Sequence, residues 1–250
     1  MSTPELLYVI VPCLNEEGTI GPVVHEVLEH APRLPMPLRM LLVDDASTDG
    51  TRQRMERLAA EHVECDVMSN PQNLGMGRSV MNAYERIPGG AWVTVFPGDR
   101  ELIFGPSLDN FMQVRDRFDV ILGHLQNPVI RPIGRRIASH MFTKVTSTLY
   151  GFRWLYLNGL KMYRVEAFRG IEVVSKGHAF MAELLAKAQL RRPELRIGEA
   201  PFLSRGRGTG TSKAIRPQAI VRAVREVYTG ARSVSSYREQ IVKGGGGGQS

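Results

Sequence analysis

Leu6-Leu7-Tyr8-Val9-Ile10-Val11, closed by Pro12, decides the fold. The run is apolar without alternation and ends in β-branched residues. A strand of that kind has to be covered on both faces, as in a parallel sheet. The segments that follow repeat the theme. Thr19 to Leu28 has helical spacing, with Ile20, Val23, Val24 and Val27 on one face and Gly18-Thr19 at its start. Arg39 to Val43 (RMLLV) predicts a second buried strand, Thr51 to His62 a helix, Glu64 to Met68 a third strand, Gly77 to Arg86 a helix and Ala91 to Phe96 (AWVTVF) a fourth strand. Strand and helix alternate four times in about 95 residues, which predicts an α/β, Rossmann-like, mostly parallel sheet flanked by helices.

In such sheets ligands bind outside the carboxyl ends of the strands. The polar clusters fall at those ends: Asn15-Glu16-Glu17, Asp44-Asp45 and Gly98-Asp99. The segment Val11-Pro12-Cys13-Leu14-Asn15-Glu16-Glu17 sets polar side chains beside a helix start and suits base or ribose recognition; an ordinary βα loop with acids at a helix N-terminus explains it as well. In Asp44-Asp45-Ala46-Ser47-Thr48-Asp49-Gly50-Thr51, capping accounts for Ser47 to Asp49. It does not account for two adjacent acids, which repel unless hydrogen bonds or positive charge surround them. Asn73-Leu74-Gly75-Met76-Gly77 allows close backbone approach before a helix, as at a phosphate site or in a plain turn. In Phe96-Pro97-Gly98-Asp99-Arg100-Glu101, Asp99 and Glu101 can ligate a hard divalent cation through oxygen, and Mg²⁺ needs only one or two carboxylates beside substrate phosphates.

The second half is less regular. Ser107 to Phe118 predicts a helix, Val120 to Gly123 a strand, and Ile133 to Tyr150 a long helix with Ile137, Met141, Val145 and Leu149 on one stripe. Leu157 to Tyr163 predicts a strand, Ala179 to Leu190 a helix, and Leu195 to Ile197 a short strand ahead of Pro201. Gln218 to Val227 is amphipathic, with Ile220, Val224 and Val227 aligned, and the Gly244 to Gly248 run reads as flexible. Expected units are therefore residues 1–215 as the folded domain, 216–243 as a basic helical tail and 244–250 as a flexible end.

The chain has 250 residues, is 43% hydrophobic and carries a net charge of +7. Nine cations between Arg205 and Lys243 face only Glu226 and Glu239, so that segment holds the whole excess. A local positive field points to an anionic partner: diphosphate, lipid phosphate or nucleic acid. Nucleic acid is disfavoured because the basic segment has no interleaved aromatics. The tail suits a membrane surface, packing on the domain, or a homodimer. No stretch of about 18 apolar residues predicts a transmembrane helix. Met1 to Glu5 does not read as a signal peptide, so the expected location is cytoplasmic, peripheral on the inner face of a membrane if the tail binds lipid. Cys13 and Cys65 lack metal-ligand spacing and read as buried thiols of a reducing compartment.

Together these motifs resemble the family 2 glycosyltransferases of GT-A fold, most closely the branch of polyprenyl (dolichol) phosphate mannosyltransferases. That family opens with Val-Pro-x-x-Asn-Glu and continues with Val-Asp-Asp-x-Ser-x-Asp-Gly-Thr, Asn-x-Gly-x-Gly and Asp-x-Asp. Asn158 to Tyr163, Phe180 to Leu185 and Arg205 to Lys213 follow in family order, so the resemblance spans roughly residues 6 to 215. One departure stands out: Pro97 occupies the place of the first metal acid and Asp99 that of the second.

The resemblance implies transfer of a sugar from a nucleotide-diphosphate donor to a lipid phosphate or small-molecule acceptor, inverting and assisted by Mg²⁺ or Mn²⁺. It implies donor contacts at Pro12, Leu14, Asn15, Glu16, Asp44, Asp45, Gly75, Gly98, Arg207 and Lys213. It places the metal at Asp99 and Glu101, and catalysis at Asp99, Arg205 and Glu183, the last as general base. Two negative charges develop on the leaving diphosphate, so a cation clamp is needed; Arg205, Arg207 and Lys213 can close over it as a lid. Arg131, Arg135 and Arg136 are expected to gather an acceptor phosphate, which as an anion needs little help from a base. A soluble transferase acting on a small molecule or cell-surface precursor, and a non-catalytic sugar-nucleotide-binding protein, are the competing readings.

Overall fold

The computed structural model describes residues 5–128, 133–153, 156, 157, 159–177, 179–205 and 217–245. The chain opens with β1 (Leu7–Cys13), α1 (Glu17–His30), β2 (Leu38–Asp44), α2 (Thr51–Glu61), β3 (Cys65–Ser69), α3 (Met76–Tyr84) and β4 (Trp92–Val95). It continues with β5 (Leu102–Ile103), α4 (Phe104–Val114), β6 (Val120–Leu125), α5 (Ile133–Tyr150), β7 (Lys161–Arg164), a single turn α6 (Val165–Phe168), α7 (Phe180–Arg191), β8 (Ile197–Ser204) and α8 (Pro217–Gly245).

The eight strands form one sheet in the order β3-β2-β1-β4-β7-β6-β8-β5. β1 runs parallel to β2 and β4, and β2 to β3. β7 is antiparallel to both β4 and β6, while β8 runs parallel to β6 and antiparallel to β5. The opening run behaves as its composition demands. Val9 and Val11 pack with Ile20, Val23 and Val24 of α1 on one face, and Ile10 packs with Val80 of α3 on the other. Each such buried side chain contributes roughly 1.5–3 kcal/mol. β2 and β3 build outward on one side of β1, and β4 returns on the other. In open α/β sheets the crevice at such a reversal, here outside the carboxyl ends of β1 and β4, is the usual place for a ligand.

Two strand expectations need correction. β8 does not stop before Pro201 but runs through it to Ser204. Pro201 lies beside His124 of β6, and β5 joins the opposite edge only at Leu203 and Ser204, so a missing N–H is tolerated there. The strand expected from Leu157 begins at Lys161, and β5, only two residues long, had no pattern to announce it.

The basic tail is a docked helix. Val227 and Val234 of α8 are buried against α7 and α5. Tyr150 Oη donates to the Val227 carbonyl at 3.3 Å, Arg238 donates to the Tyr150 carbonyl at 3.2 Å, and Lys187 Nζ of α7 donates to Ser233 Oγ at 2.8 Å. A Cβ at Gly230 would meet Tyr150 Oη at 2.3 Å, so the helices approach through a glycine. No helix among the described residues is long and apolar enough to cross a membrane.

Candidate functional site

Among the described residues three non-glycine residues adopt left-handed backbone: Asn15 (φ 58°), Ala46 (φ 61°) and Arg100 (φ 58°). They follow β1, β2 and β4, so strained backbone concentrates where the polar motifs meet.

The first two loops are knitted to each other. Asn15 donates its N–H to Ser47 Oγ (3.0 Å), and its Oδ1 accepts the Thr48 N–H (2.8 Å). Glu16 N–H reaches Thr51 Oγ1 (2.8 Å), and Glu17 Oε2 accepts the Gly50 N–H (3.0 Å). Gly50 is the N-cap of α2, and just before it Asp49 accepts the Thr51 N–H (3.0 Å). These bonds fix Pro12, Leu14 and Asn15 as a rim, with the Leu14 side chain exposed.

The adjacent acids have different surroundings. Asp45 is saturated: its carboxylate accepts Asn70 Nδ2 (2.9 Å), the Leu74 N–H (2.8 Å), the Gly75 N–H (2.9 Å) and Ser79 Oγ (2.8 Å). It acts as the anion at the start of α3, the role sequence alone left open for a phosphate. Asp44 is equally buried, yet among the described residues its carboxylate accepts only the Ser47 N–H (3.0 Å). A buried carboxylate with lone pairs to spare, at the end of a central strand, can accept from a base or ribose.

Asp99 follows β4, half-buried, its Oδ1 accepting the Glu101 N–H (3.1 Å). Gly98 is required by close approach: a Cβ would lie 2.3 Å from Cys13 Sγ, and its N–H bonds to the Pro12 carbonyl (3.2 Å). Burial pushes the Cys13 thiol well up, and the negative field of Glu16, Asp44 and Asp99 adds to it. Those three acids therefore all lie within electrostatic range of the Cys13 thiol. Cys13 and Cys65 are both free, buried thiols.

Glu101 is buried in the turn after Asp99, and its carbonyl accepts the Arg205 N–H (2.9 Å) and Ser204 Oγ (3.0 Å). Arg205 itself pairs with Glu26 of α1 (2.8 Å) and donates to the Leu102 carbonyl. Its guanidinium thus ties β8 to α1. Arg207, Lys213 and Arg131 lie outside the described residues, as does the Arg135 side chain; Arg136 is exposed on α5. Among the described residues no three His, Cys, Asp or Glu side chains converge to hold a metal.

Gly75 has φ 82°, and the Gly77 N–H bonds to the Lys176 carbonyl (2.9 Å). A Cβ at Gly77 would stand 2.9 Å from that carbonyl, so the glycines admit another stretch of the same chain. That stretch is held in turn by Glu183. Its carboxylate accepts the Val174 N–H (3.1 Å), the Ser175 N–H (3.0 Å) and hydroxyl (2.7 Å), and Lys187 Nζ (2.8 Å). Burial alone would raise the Glu183 carboxyl, but the bonds from Lys187, Ser175 and Val174 outweigh it and hold it below the usual range. A network thus runs from Asp45 through the start of α3 and residues 174–176 to Glu183, Lys187 and Ser233.

Two groups carried no recognised role in the sequence. Lys187 was hidden because two of its partners, the Glu172 carbonyl and Ser233 Oγ, lie off its own helix. Lys161 begins β7 beside β4, donates to the Gly159 carbonyl (2.8 Å), and is pushed down to about 8 by burial.

The chain matches the sequence model of glycosyl transferase family 2 over residues 8–170, and it belongs to that family. It is 25% identical over 220 residues to the dodecaprenyl-phosphate galacturonate synthase of Rhizobium johnstonii, covering 83% of this chain and 61% of that protein. The dolichol-phosphate mannosyltransferase of Saccharomyces cerevisiae is 25% identical over 220 residues, covering 82% of this chain and 79% of the yeast protein. Thus the chain spans about three-fifths of the length of the first relative and four-fifths of the second. The fold is shared with glucosyl-3-phosphoglycerate synthase of Mycobacterium tuberculosis, solved with Mn²⁺ and uridine-diphosphate-glucose: TM-score 0.66 at 17% identity, over 93% of this chain and 79% of that one.

Proposed function

We propose that this chain is a nucleotide-sugar-dependent glycosyltransferase that moves its sugar, with inversion, onto a polyprenyl phosphate-type acceptor. Asp44 with its spare acceptor capacity, the rim Pro12, Leu14 and Asn15, and nearby Glu16 receive the base and ribose. Gly98 seats this turn against Cys13, and Asp99 faces the diphosphate. Arg207 and Lys213 supply the cation clamp, with Arg205 anchoring the segment that carries them. Asp45 and Gly75 serve the site by fixing its floor. Arg131, Arg135 and Arg136 gather the acceptor phosphate. The relatives named for polyprenyl and dolichol phosphate support the acceptor class.

Asp99, with Glu101 in the same turn, would hold a Mg²⁺ or Mn²⁺ ion beside the diphosphate, since Mg²⁺ is commonly bound by one or two carboxylates plus substrate phosphates. Such an ion neutralises charge on the leaving group. In the reaction, an acceptor phosphate oxygen attacks the anomeric carbon from the face opposite the donor oxygen. The bond to the diphosphate breaks, and the nucleoside diphosphate departs with the electron pair.

The observation that carries the acceptor reading is the saturation of Glu183. A carboxylate engaged by these donors and held below its usual range is a poor proton acceptor. A hydroxyl acceptor needs such a base; a phosphate acceptor does not. The test incubates the chain with uridine- and guanosine-diphosphate sugars, Mn²⁺, and either polyprenyl phosphate or a soluble phosphorylated hydroxyl acceptor. The expected product is a polyprenyl-phosphate sugar, lost in Asp99→Asn. Product on the soluble hydroxyl alone would overturn the acceptor assignment.

A further inference from the structure

Residues 172–177 form a strap that touches both α8 and the start of α3. On the α8 side it is held by polar side chains. Lys187 Nζ donates to the Glu172 carbonyl, to Glu183 Oε1 and to Ser233 Oγ of α8, each at 2.8 Å. An ammonium has three N–H bonds, and these acceptors use them all. Glu183 in turn takes the Val174 and Ser175 N–H groups. α8 also closes directly on the strap: a Cβ at Gly230 would meet Ser175 Oγ at 3.0 Å, and a Cβ at Gly177 would meet the Glu226 carboxylate at 2.4 Å. On the other side the Lys176 carbonyl accepts the Gly77 N–H at 2.9 Å. Gly75, two residues earlier, gives its N–H to Asp45, the neighbour of Asp44.

The Lys187 and Glu183 side chains are 6% and 0% exposed. The cost of taking two charges out of water offsets much of their attraction, so the pair is weak as a source of stability. What it supplies is direction. Its bonds fix the backbone of the strap relative to α7 and α8, and the strap carries that position to the first turn of α3 through the Lys176 carbonyl. We propose that Lys187 is a positioning residue: by joining α8 to the strap it sets the backbone at Gly75 to Gly77, and with it the affinity of the β2 site for the donor. Its three N–H groups are engaged, so it acts through the strap and not on the donor. The docked α8 thereby belongs to the donor-binding machinery. The effect on donor affinity rests on the nucleotide-sugar reading above; the effect on the strap and on α3 does not.

The test compares the full chain with Ser233→Ala, Ser233→Thr, Lys187→Met and the double variant of Lys187→Met with Ser233→Ala. Amide hydrogen exchange is measured without ligand, and uridine- and guanosine-diphosphate sugars are titrated by calorimetry. In Ser233→Ala, residues 174–177 and 75–79 should exchange several-fold faster than in the parent, with β2 and β6 at the parent rate. Donor affinity should fall about three- to tenfold, the scale of one hydrogen bond. Ser233→Thr, which keeps the hydroxyl, should restore both. Lys187→Met should give a larger change of the same kind, and Ser233→Ala should add nothing to it, since both remove one bond. Exposed Arg232→Gln on α8 should match the parent. If Lys187→Met does not fold, Ser233→Ala, which keeps the ion pair, decides. Faster exchange confined to α7 and α8, or spread through the whole sheet, would overturn the proposal. So would an unchanged affinity of Ser233→Ala for a donor that the parent binds. A parent that binds no nucleotide sugar would overturn the nucleotide-sugar reading and the affinity claim with it, while the exchange at residues 75–79 still decides the coupling.

Discussion

The end of β2 and the start of α7 both bury carboxylates, and the two regions use them differently. At α7, Glu183 is satisfied by Val174, Ser175 and Lys187 and fastens a loop. At β2 the work is divided: Asp45 is satisfied by Asn70, Leu74, Gly75 and Ser79, whereas Asp44 beside it takes one backbone N–H among the described residues. Burial therefore does not tell the two aspartates apart. The donors each already holds do, because a buried carboxylate with unused lone pairs is costly unless something else supplies them.

The comparison breaks most visibly at Asp99, the acid at the β4 turn. If Asp99 faces the diphosphate as proposed, Asp99→Asn is expected to cut transfer by roughly 100- to 1000-fold, the scale of losing one transition-state-stabilising group. The melting temperature should stay near that of the parent. Steady-state transfer assays and a thermal melt check both halves. Next is Asp45→Ala, which strands several buried donors at the start of α3. A loss of about 3 kcal/mol or more is expected, read by urea unfolding, with activity falling in step with the folded fraction.

Glu183→Gln sharpens the other side of the comparison. Because the folded carboxyl is held below its usual range, its contribution is present above the unfolded value of about 4.3 and is lost as pH falls through the folded value. The parent should therefore lose stability below about pH 4.3 more steeply than the glutamine variant. At neutral pH, Glu183→Gln should reduce transfer only as far as it loosens residues 174–176. A rate lost at all pH values with an unchanged melt would return Glu183 to the role of general base.

Much of the architecture was legible because it rests on local patterns. The buried runs at β1, β2 and β4 carry their own evidence, and α5 begins and ends at Ile133 and Tyr150 as its spacing predicts. Less legible was what each helix covers. Periodicity aligned Ile137, Met141, Val145 and Leu149 on α5 but could not say that they face outward. Charge and amphipathicity left α8 open between a membrane surface, packing on the domain and a dimer, and Val227, Val234 and Gly230 dock it on α5 and α7. The site was legible as motifs and illegible as a division of labour. Asp44 and Asp45 differ through donors 25 to 34 residues away, at Asn70, Leu74, Gly75 and Ser79. Likewise the glycine at 98 is explained by Cys13, a neighbour across the sheet that no spacing rule reveals.

Asp44 tests the account most directly. Calorimetric titration of the donor nucleotide sugar into the parent chain, Asp44→Asn and Asp109→Asn measures whether the spare carboxylate receives the donor. Asp109 serves as control, an exposed acid paired with His30 on the far side of α1 and α4. The account predicts about tenfold weaker binding for Asp44→Asn, the scale of one charge-assisted hydrogen bond, and parent-like affinity for Asp109→Asn. Equal affinity in Asp44→Asn and the parent would contradict it.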